Sequence, residues 1–413
     1  MRLKVAATVL GSIALGAMAA GCTPAGSTSR ISVDSSGHQT SSYDVSPSMS
    51  DDGSVIAFQA ASAIEVRDRS AGTVTTIDLT TSGKPGNGVS TNPVVSGNGQ
   101  FVAFTSTSTN LVTGDTNKHA DVFVRDLAHA TTTRVSLTSS GKQANDDSDF
   151  AALSATGRYV AFTSAAANLV LGDTNKVQDV FLRDTTSGKT TRVSVRTDGG
   201  QAFSYSRYAA VSADGKTVAF ESLDPLTSET VDGGIFVRRL TSPPTTTLVS
   251  FSNGDTDQLT GDTPPAMSDD GRYVAFQSLT GASDPTLDVY VRDRTSNAVD
   301  QISVSSAGTA GNADSGARLT ISSDGRYVAF SSIATNLVDQ DTNRRQDVFV
   351  RDRSDATTTR VSVTNSGAQA DDLSEHPDIS TDGRYTVFDS AATNLVRDDT
   401  NAEFDIFLRD RGA

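Results

Sequence analysis

The chain has 413 residues, of which 36% are hydrophobic and 20% charged, and its formal net charge at pH 7 is −15. A chain of this length can bury a sizeable core, and its acidic balance argues against a nucleic-acid partner and against charge-driven docking on anionic lipid. Cys22 is the single cysteine, so an intramolecular disulfide is excluded and stability must come from the core.

The first residues are typical of an export signal. Arg2 and Lys4 precede an apolar stretch of small residues that ends just before Cys22. With two glycines inside it, the stretch 5–20 is marginal for spanning a bilayer and suits the apolar region of a signal peptide. We therefore predict a signal peptide over 1–21.

Cys22 directly follows the sequence Ala-Ala-Gly and precedes a short polar segment. This arrangement resembles a bacterial lipoprotein box, although Ala19 stands where such boxes usually carry leucine. The resemblance implies cleavage before Cys22 and a diacylglycerol on its sulfur. The protein would then be anchored on the extracytoplasmic face of the bacterial cell membrane through lipidated Cys22 only, with 22–27 as a tether. The alternative is ordinary cleavage after an Ala-x-Ala-like site.

Downstream, the chain repeats one phrase seven times, a Ser-x-Asp-Gly-type turn followed by a β-rich run that ends in phenylalanine. A unit that recurs every 40 to 60 residues or so is typical of a propeller or a solenoid. The turn glycines are Gly53, Gly99, Gly157, Gly215, Gly271, Gly325 and Gly383.

Each unit contains four short β-rich runs, which we call strands a to d of one blade. In the clearest unit they occupy 150–153, 159–162, 179–183 and 190–195. Strands b and c are nearly continuous apolar runs, as expected of strands covered on both faces, whereas strand d alternates polar and apolar residues like a half-wet outer edge. The pattern predicts a four-stranded antiparallel meander.

The two ends of the chain predict a closed ring. The seventh unit stops after strand c, at 405–410, and a spare strand d lies near the start, at 28–33. Pairing of these segments would remove the exposed sheet edges of an open array. We therefore predict an all-β, seven-bladed β-propeller over 28–413, closed by its N-terminal strand, rather than a six-bladed ring with an unpaired unit.

The repeats resemble the WD-repeat-like units of the TolB-like propeller family. The residues that carry the resemblance are Pro-Asp-Ile-Ser-Thr-Asp-Gly-Arg-Tyr at 377–385 and Asp-Ile-Phe-Leu-Arg at 405–409. The resemblance covers 28–413 and implies the fold. Propellers of this kind serve as protein-docking surfaces, peptidase gatekeepers and, occasionally, polysaccharide-degrading enzymes. The cell-envelope member has an additional N-terminal domain and fewer blades, which this sequence does not match.

Four b–c loops share the pattern Asp-Thr-Asn-x-x-x-Asp. Hard cations such as Ca²⁺ take six to eight oxygen ligands, and this spacing directs side-chain oxygens toward one point. Calcium is therefore the one cofactor that we consider, against the alternative that Asp and Asn merely shape the turns. The candidate ligands are Asp115, Asn117, Asp121, Asp173, Asn175, Asp179, Asp341, Asn343, Asp347, Asp399, Asn401 and Asp405.

An arginine near the end of strand c recurs in every blade, and an aspartate follows it in six of them. This regularity indicates a structural role, which we interpret as Arg–Asp pairing between strands or blades. The arginines are Arg67, Arg125, Arg183, Arg238, Arg292, Arg351 and Arg409.

No catalytic motif stands out: the four histidines lack metal-ligand spacing, and neither a nucleophile elbow nor a phosphate loop is present. In an up-and-down blade, the b–c loops and the d–a connections leave from the same end, so one acidic face of loops is expected. We predict a non-enzymatic module of the cell envelope that binds a protein or a glycan through this face. The alternative is a polysaccharide-directed lyase or glycosidase that uses acidic residues at the ring centre.

Overall fold

The computed structural model describes residues 26–228, 233–251, 263–280 and 286–412, which form seven four-stranded antiparallel sheets. Blades 1 to 3 comprise β2 (Asp44–Met49), β3 (Val55–Ala60), β4 (Ala63–Asp68), β5 (Thr73–Thr76), β6 (Ser90–Val95), β7 (Phe101–Ser106), β8 (Asp121–Asp126), β9 (Thr131–Arg134), β10 (Ser148–Leu153), β11 (Tyr159–Ser164), β12 (Asp179–Asp184) and β13 (Lys189–Arg192). Blades 4 and 5 comprise β14 (Ser206–Val211), β15 (Thr217–Ser222), β16 (Gly234–Arg239), β17 (Thr245–Leu248), β18 (Ala266–Met267), β19 (Tyr273–Thr280), β20 (Thr286–Asp293) and β21 (Val299–Gln301). Blades 6 and 7 comprise β22 (Ser315–Ile321), β23 (Tyr327–Ser332), β24 (Asp347–Asp352), β25 (Thr357–Arg360), β26 (Ser374–Ile379), β27 (Tyr385–Ser390), β28 (Asp405–Asp410) and β1 (Ser27–Arg30). The predicted seven-bladed β-propeller is confirmed.

The ring is closed by β1, which pairs with β28 and completes blade 7. Thr28 lies opposite Arg409, and Arg30 lies opposite Phe407. The buried Thr28 hydroxyl donates to the carbonyl oxygen of Val363 at 2.6 Å and accepts a hydrogen bond from Arg409 Nη1 at 3.0 Å. The N-terminal strand therefore completes the last blade, as predicted, and Thr28 also links it to the preceding blade.

The hydrophobic core lies between neighbouring blades, where strands b and c are covered on both faces. In blade 3 the rings of Phe162 and Phe181 stack with their centroids 5.9 Å apart. Burial of each phenylalanine stabilises the fold by about 1.5–3 kcal/mol. This layer therefore fixes the position of strand a, which lines the centre of the ring. The largest fully buried side chains are Phe58, Phe104, Phe123, Phe162, Phe181, Phe220, Phe236, Phe276, Phe330, Phe349, Phe388 and Phe407.

The repeated Ser-x-Asp-Gly phrase forms the turn between strands a and b. In blade 7, Ser380 Oγ donates to Asp382 Oδ1 at 2.7 Å, and the same carboxylate accepts the backbone N–H of Arg384 at 2.9 Å. Gly383 has a φ of +71°, and a Cβ there would lie 2.2 Å from the ring of Tyr327 in the neighbouring blade. The phrase is thus an architectural element that sets a tight turn against the next blade.

The b–c loops and the d–a connections share one face of the ring, which we call the loop face. The first residue of strand a pairs with the last residue of strand b, as Ser374 does with Ser390. Gln369 of a d–a connection also donates from Nε2 to Thr342 Oγ1 of a b–c loop at 2.8 Å. The expectation of a common face for these segments is confirmed.

Candidate functional site

One position of strand a contributes a different residue to the central channel in each blade. In blade 7 this position is His376. It lies two residues before Asp378, which pairs with Val387, the third residue of strand b. The position that follows it is Pro or Ala in six blades. The channel position itself carries seven different residue types, so its side chains are not repeated from blade to blade and can determine what the channel binds. These residues, the channel ring, line a cavity of about 350 Å³ and are Ser46, Asn92, Phe150, Tyr208, Pro264, Arg318 and His376.

A β-bulge in strand a places this position in the channel. In blade 7 the pairing between strands a and b shifts between Glu375 and Asp378, and His376 has a φ of 45°. The same shift and positive φ occur at Ser46, Asn92 and Phe150, among others. Bulges re-aim side chains and are frequent beside functional sites.

In blade 7, the channel residue His376 lies in a group of three ionisable side chains. His376 Nδ1 lies 2.7 Å from Asp389 Oδ2, and the backbone N–H of Ser46 donates to the same oxygen at 2.9 Å. Asp389 is fully buried, and its Oδ1 has no hydrogen-bond partner. One ligand atom each from Glu375, His376 and Asp389 lies within 4.8 Å of the other two. We call these three residues the blade 7 triad.

Burial shapes the electrostatics of the triad and of its neighbour Arg318. Burial raises the pKa of Glu375, and the charge of Asp389 raises it further, whereas His376 and Arg318 lower it. Burial also lowers the pKa of the Arg318 guanidinium, against the influence of Tyr208, Asp389 and Glu375. The channel mouth therefore combines two carboxyls, an imidazole and a guanidinium, a set that can hold a cation or move a proton.

Asp378 lies one layer deeper in the channel. It accepts hydrogen bonds from the backbone N–H of Met49 at 2.8 Å and from Thr320 Oγ1 at 3.1 Å. Burial raises the pKa of Asp378 to about 6, and burial likewise raises the pKa of Asp149, in strand a of blade 3, to about 6. Both carboxyls therefore change protonation between pH 5 and 7.

The loop face around the channel mouth carries exposed apolar side chains. Phe203 is 70% exposed, and the guanidinium of Arg196 lies 5.0 Å from its ring centroid. Tyr205 follows two residues later and is also exposed, with Arg207 5.7 Å from its ring centroid. Every exposed large hydrophobic residue of the described ranges lies on this face: Tyr43, Val89, Leu171, Phe203, Tyr205 and Ile333. The sequence analysis had not identified these residues.

The structure brings the predicted loop residues together within each of the four blades, and an arginine of strand d lies between the two carboxylates. In blade 2, Arg134 Nη1 lies 3.0 Å from Asp115 and 2.9 Å from Asp121. Asn117 directs its amide nitrogen, not its oxygen, to Asp121 Oδ2 at 2.9 Å. The corresponding arginines are Arg192 beside Asp173 and Asp179, Arg360 beside Asp341 and Asp347, and Arg30 beside Asp399 and Asp405; Asn175, Asn343 and Asn401 occupy the place of Asn117.

Two further residues complete each of these polar clusters. In blade 2, Ser136 Oγ donates to Asp121 Oδ1 at 2.5 Å. Gln143 of the d–a connection receives the backbone N–H of Thr116 on Oε1 at 3.2 Å and donates from Nε2 to its hydroxyl at 2.7 Å. The loops are therefore fastened to strand d and to the d–a connection by their own side chains.

Calcium binding by these loops stays a prediction. Because a guanidinium already lies between the carboxylates, we expect calcium to bind with a Kd of roughly 10⁻⁴–10⁻³ M, the range of weak extracellular sites. Isothermal titration with CaCl₂ measures it, and Asp173→Asn should lower the stoichiometry by one site. Absence of heat, together with an unchanged melting temperature at millimolar calcium, would contradict the prediction.

The strand c arginines have a structural role, but their partners differ from the predicted ones. Arg183 Nη1 donates to the carbonyl oxygen of Thr138 in the preceding d–a connection and to Thr190 Oγ1, both at 2.9 Å. Asp184, which follows it, pairs instead with Arg158 of the a–b turn at 2.8 Å. The prediction of Arg–Asp pairing for strand c was therefore wrong in its partner, because the guanidinium satisfies backbone carbonyls between blades.

Cys22 and the predicted signal peptide lie outside the described residues. Within the described ranges, none of the secondary structure is a helix long and apolar enough to cross a membrane.

The fold and the channel define the protein as a seven-bladed β-propeller. No protein-family model matches the chain, and no curated protein matches it. Among solved structures, it is similar to an oligogalacturonate lyase from Vibrio parahaemolyticus, with 11% identity, 89% of each chain covered and a TM-score of 0.54. It is also similar to TolB from Acinetobacter baumannii, with 14% identity over 77% of this chain and 62% of that one, and to a putative TolB from Agrobacterium tumefaciens, with 17% identity over 64% and 81%; both TM-scores are 0.42. At these identities the likenesses concern the fold alone.

Proposed function

We propose that this propeller is a non-enzymatic module of the bacterial cell envelope that binds another envelope component through its loop face. The observation that carries the proposal is that all exposed large hydrophobic side chains of the described residues lie on that face. Neighbouring exposed apolar side chains, such as Phe203 and Tyr205 in one d–a connection, are typical of an interaction site. Of a protein and a glycan, the aliphatic residues Val89, Leu171 and Ile333 favour a protein.

The connection between blades 3 and 4 offers the strongest anchor for such a partner. Phe203 and Tyr205 project beside Arg196 and Arg207, and tyrosine and arginine are enriched among the residues that dominate binding energy. The channel mouth beside them holds polar groups that can fix orientation, as in recognition sites that combine an apolar rim with a few polar contacts.

We also propose that the module is exported and held on the extracytoplasmic side by lipidated Cys22. The small-residue apolar segment and the lipoprotein-like position of this single cysteine support the proposal. Mass spectrometry of the mature N-terminus measures it. A diacylglyceryl group should be present on the wild-type protein and absent after Cys22→Ser.

The docking proposal is tested by site-specific photo-crosslinking in cells. A photoreactive residue in place of Phe203 should give one crosslinked partner, whereas the same residue in place of Ser187, in a c–d turn on the opposite face, should not. With the partner purified, Phe203→Ala should weaken binding at least about tenfold, the effect of losing a dominant interface residue. Equal crosslinking from both faces, or unchanged affinity of Phe203→Ala, would contradict docking on the loop face.

A second candidate function is a polysaccharide-directed lyase or glycosidase. The specific observation in its favour is the blade 7 triad, in which two carboxyls and an imidazole lie close enough to exchange protons with a bound sugar. Purified protein should be assayed on pectic and chitinous oligomers. Turnover that Glu375→Gln abolishes would replace the binding-only function with an enzymatic one.

A further inference from the structure

The blade 7 triad differs from the other buried carboxylate pairs of this chain in how its charge is balanced. In the four polar clusters, an arginine lies 2.9–3.6 Å from the paired carboxylates. Among the described residues, the only basic side chain within 4.0 Å of Asp389 is the imidazole of His376, and Glu375 has no arginine or lysine at that distance. These two carboxylates therefore have no arginine or lysine in direct contact, unlike their counterparts, and only the charge of Arg318 acts on them from beyond 4.0 Å.

Asp389 supplies a second, independent observation that points to a ligand of this group. Its side chain is fully buried, and its Oδ1 has no hydrogen-bond partner. A buried carboxylate oxygen without a partner is unfavourable, because nothing compensates the loss of its hydration. An ion held by both oxygens of the Asp389 carboxylate would supply the missing partner of Oδ1.

The spacing of the three side chains fits a single metal ion. Metal–nitrogen and metal–oxygen bonds of zinc are about 2.0–2.2 Å long, so two neighbouring ligand atoms lie about 3.0–3.5 Å apart. His376 Nδ1 and Asp389 Oδ2 are 2.7 Å apart, and all three ligand atoms lie within 4.8 Å of one another. A shift of a few tenths of an ångström would bring this pair onto one ion.

We propose that Glu375, His376 and Asp389 form a binding site for one divalent metal ion of the Zn²⁺ or Mn²⁺ type at the mouth of the channel. One imidazole with two carboxylates is a donor set for such ions, whereas calcium takes six to eight oxygens. Three protein ligands leave at least one coordination position of the ion open for water or another ligand. The site is distinct from the four loop clusters and does not depend on the proposed docking function.

Arg318 is the competing cation at this site. It occupies the neighbouring position of the channel ring, and its charge acts on both Glu375 and Asp389. Its removal should therefore strengthen metal binding, because the carboxylates would then lack any nearby positive charge other than the metal.

The proposal is tested by isothermal titration of the full chain with ZnCl₂ and, separately, MnCl₂ at pH 7, with melting temperature as a second readout. We expect one site per chain, an increase in melting temperature and at least about tenfold weaker binding in Glu375→Gln. Arg318→Gln should bind more tightly than the wild type. Because Glu375 is only half-buried, its substitution tests the site even if Asp389→Asn fails to fold.

The matched control is His119→Ala. His119 lies with Asp146 and Asp147 in the other group of ligand-type side chains of the described residues, at the surface of blade 2. This variant should bind zinc as the wild type does. The proposal is overturned by absence of heat with both metals, by unchanged affinity in Glu375→Gln, or by loss of binding in His119→Ala alone.

Discussion

Deletion of Ser27–Arg30 is expected to destabilise the whole ring by roughly 5 kcal/mol or more. The deletion removes the pairing of β1 with β28, in which each backbone hydrogen bond contributes about 1 kcal/mol. It also removes Arg30 from Asp399 and Asp405, whose side chains are 3% and 0% exposed, and loss of one partner of a buried ion pair costs about 3–5 kcal/mol. The sum is a large part of the roughly 5–15 kcal/mol that stabilises a typical protein.

The measurement is the urea midpoint of unfolding, with size-exclusion chromatography to detect association through the uncovered edge of β28. Ser29→Ala, in the same strand but at an exposed position, is the matched control and should leave the midpoint unchanged. A synthetic peptide of residues 26–30 should bind the deleted protein and raise its midpoint. If the deletion left the midpoint where it was, closure by β1 would not be a source of stability.

The architecture could be predicted because it depends on short sequence patterns that recur in every blade. The turn phrase needs only a Ser, an Asp and a glycine with positive φ, and strands b and c show their double coverage in continuous apolar runs. Closure was also predictable, because a strand d without a blade and a blade without a strand d are both visible in the sequence. Each of these signals lies within a few consecutive residues.

Only part of each polar cluster could be predicted from the sequence. The Asp and Asn residues stood out by their spacing, but their partners lie farther along the chain, as Arg134 and Gln143 do from Asp115. A signal was available, since strand d carries this arginine in the same four blades that carry the Asp-Thr-Asn loop. The occurrence of this arginine together with the loop indicates an internal ion pair as an alternative to a calcium site.

The blade 7 triad could not be predicted from the sequence, for a different reason. In a regular strand, Glu375 and His376 would point to opposite faces. The bulge in β26 overrides that alternation and brings both side chains toward Asp389 of the neighbouring strand. The periodicity of the sequence does not indicate the bulge, because the extra residue leaves the recurring turn and the apolar runs of strands b and c unchanged.

Arg134→Met is expected to lower the free energy of unfolding by about 3–5 kcal/mol at pH 7. The substitution keeps most of the buried apolar stem but leaves the carboxylates of Asp115 and Asp121, 2% and 0% exposed, without their cation. Urea unfolding measures the loss. Lys84→Met, at an exposed position of the same loop face, is the control and should have little effect.

The pH dependence of this variant distinguishes a lost ion pair from lost packing. Burial already raises the pKa of Asp115 in the wild type, and removal of Arg134 would raise it further. A carboxyl whose pKa is higher in the folded state takes up a proton on folding, so acidification favours the folded form of the variant more than that of the wild type. The difference in unfolding free energy should therefore shrink as the pH falls from 7 toward 5, and the triple variant Arg134→Met, Asp115→Asn, Asp121→Asn should recover part of the loss at pH 7. If the difference in unfolding free energy between the variant and the wild type stayed constant with pH, the loss would be due to packing, and the ion pair would not contribute to holding the loops.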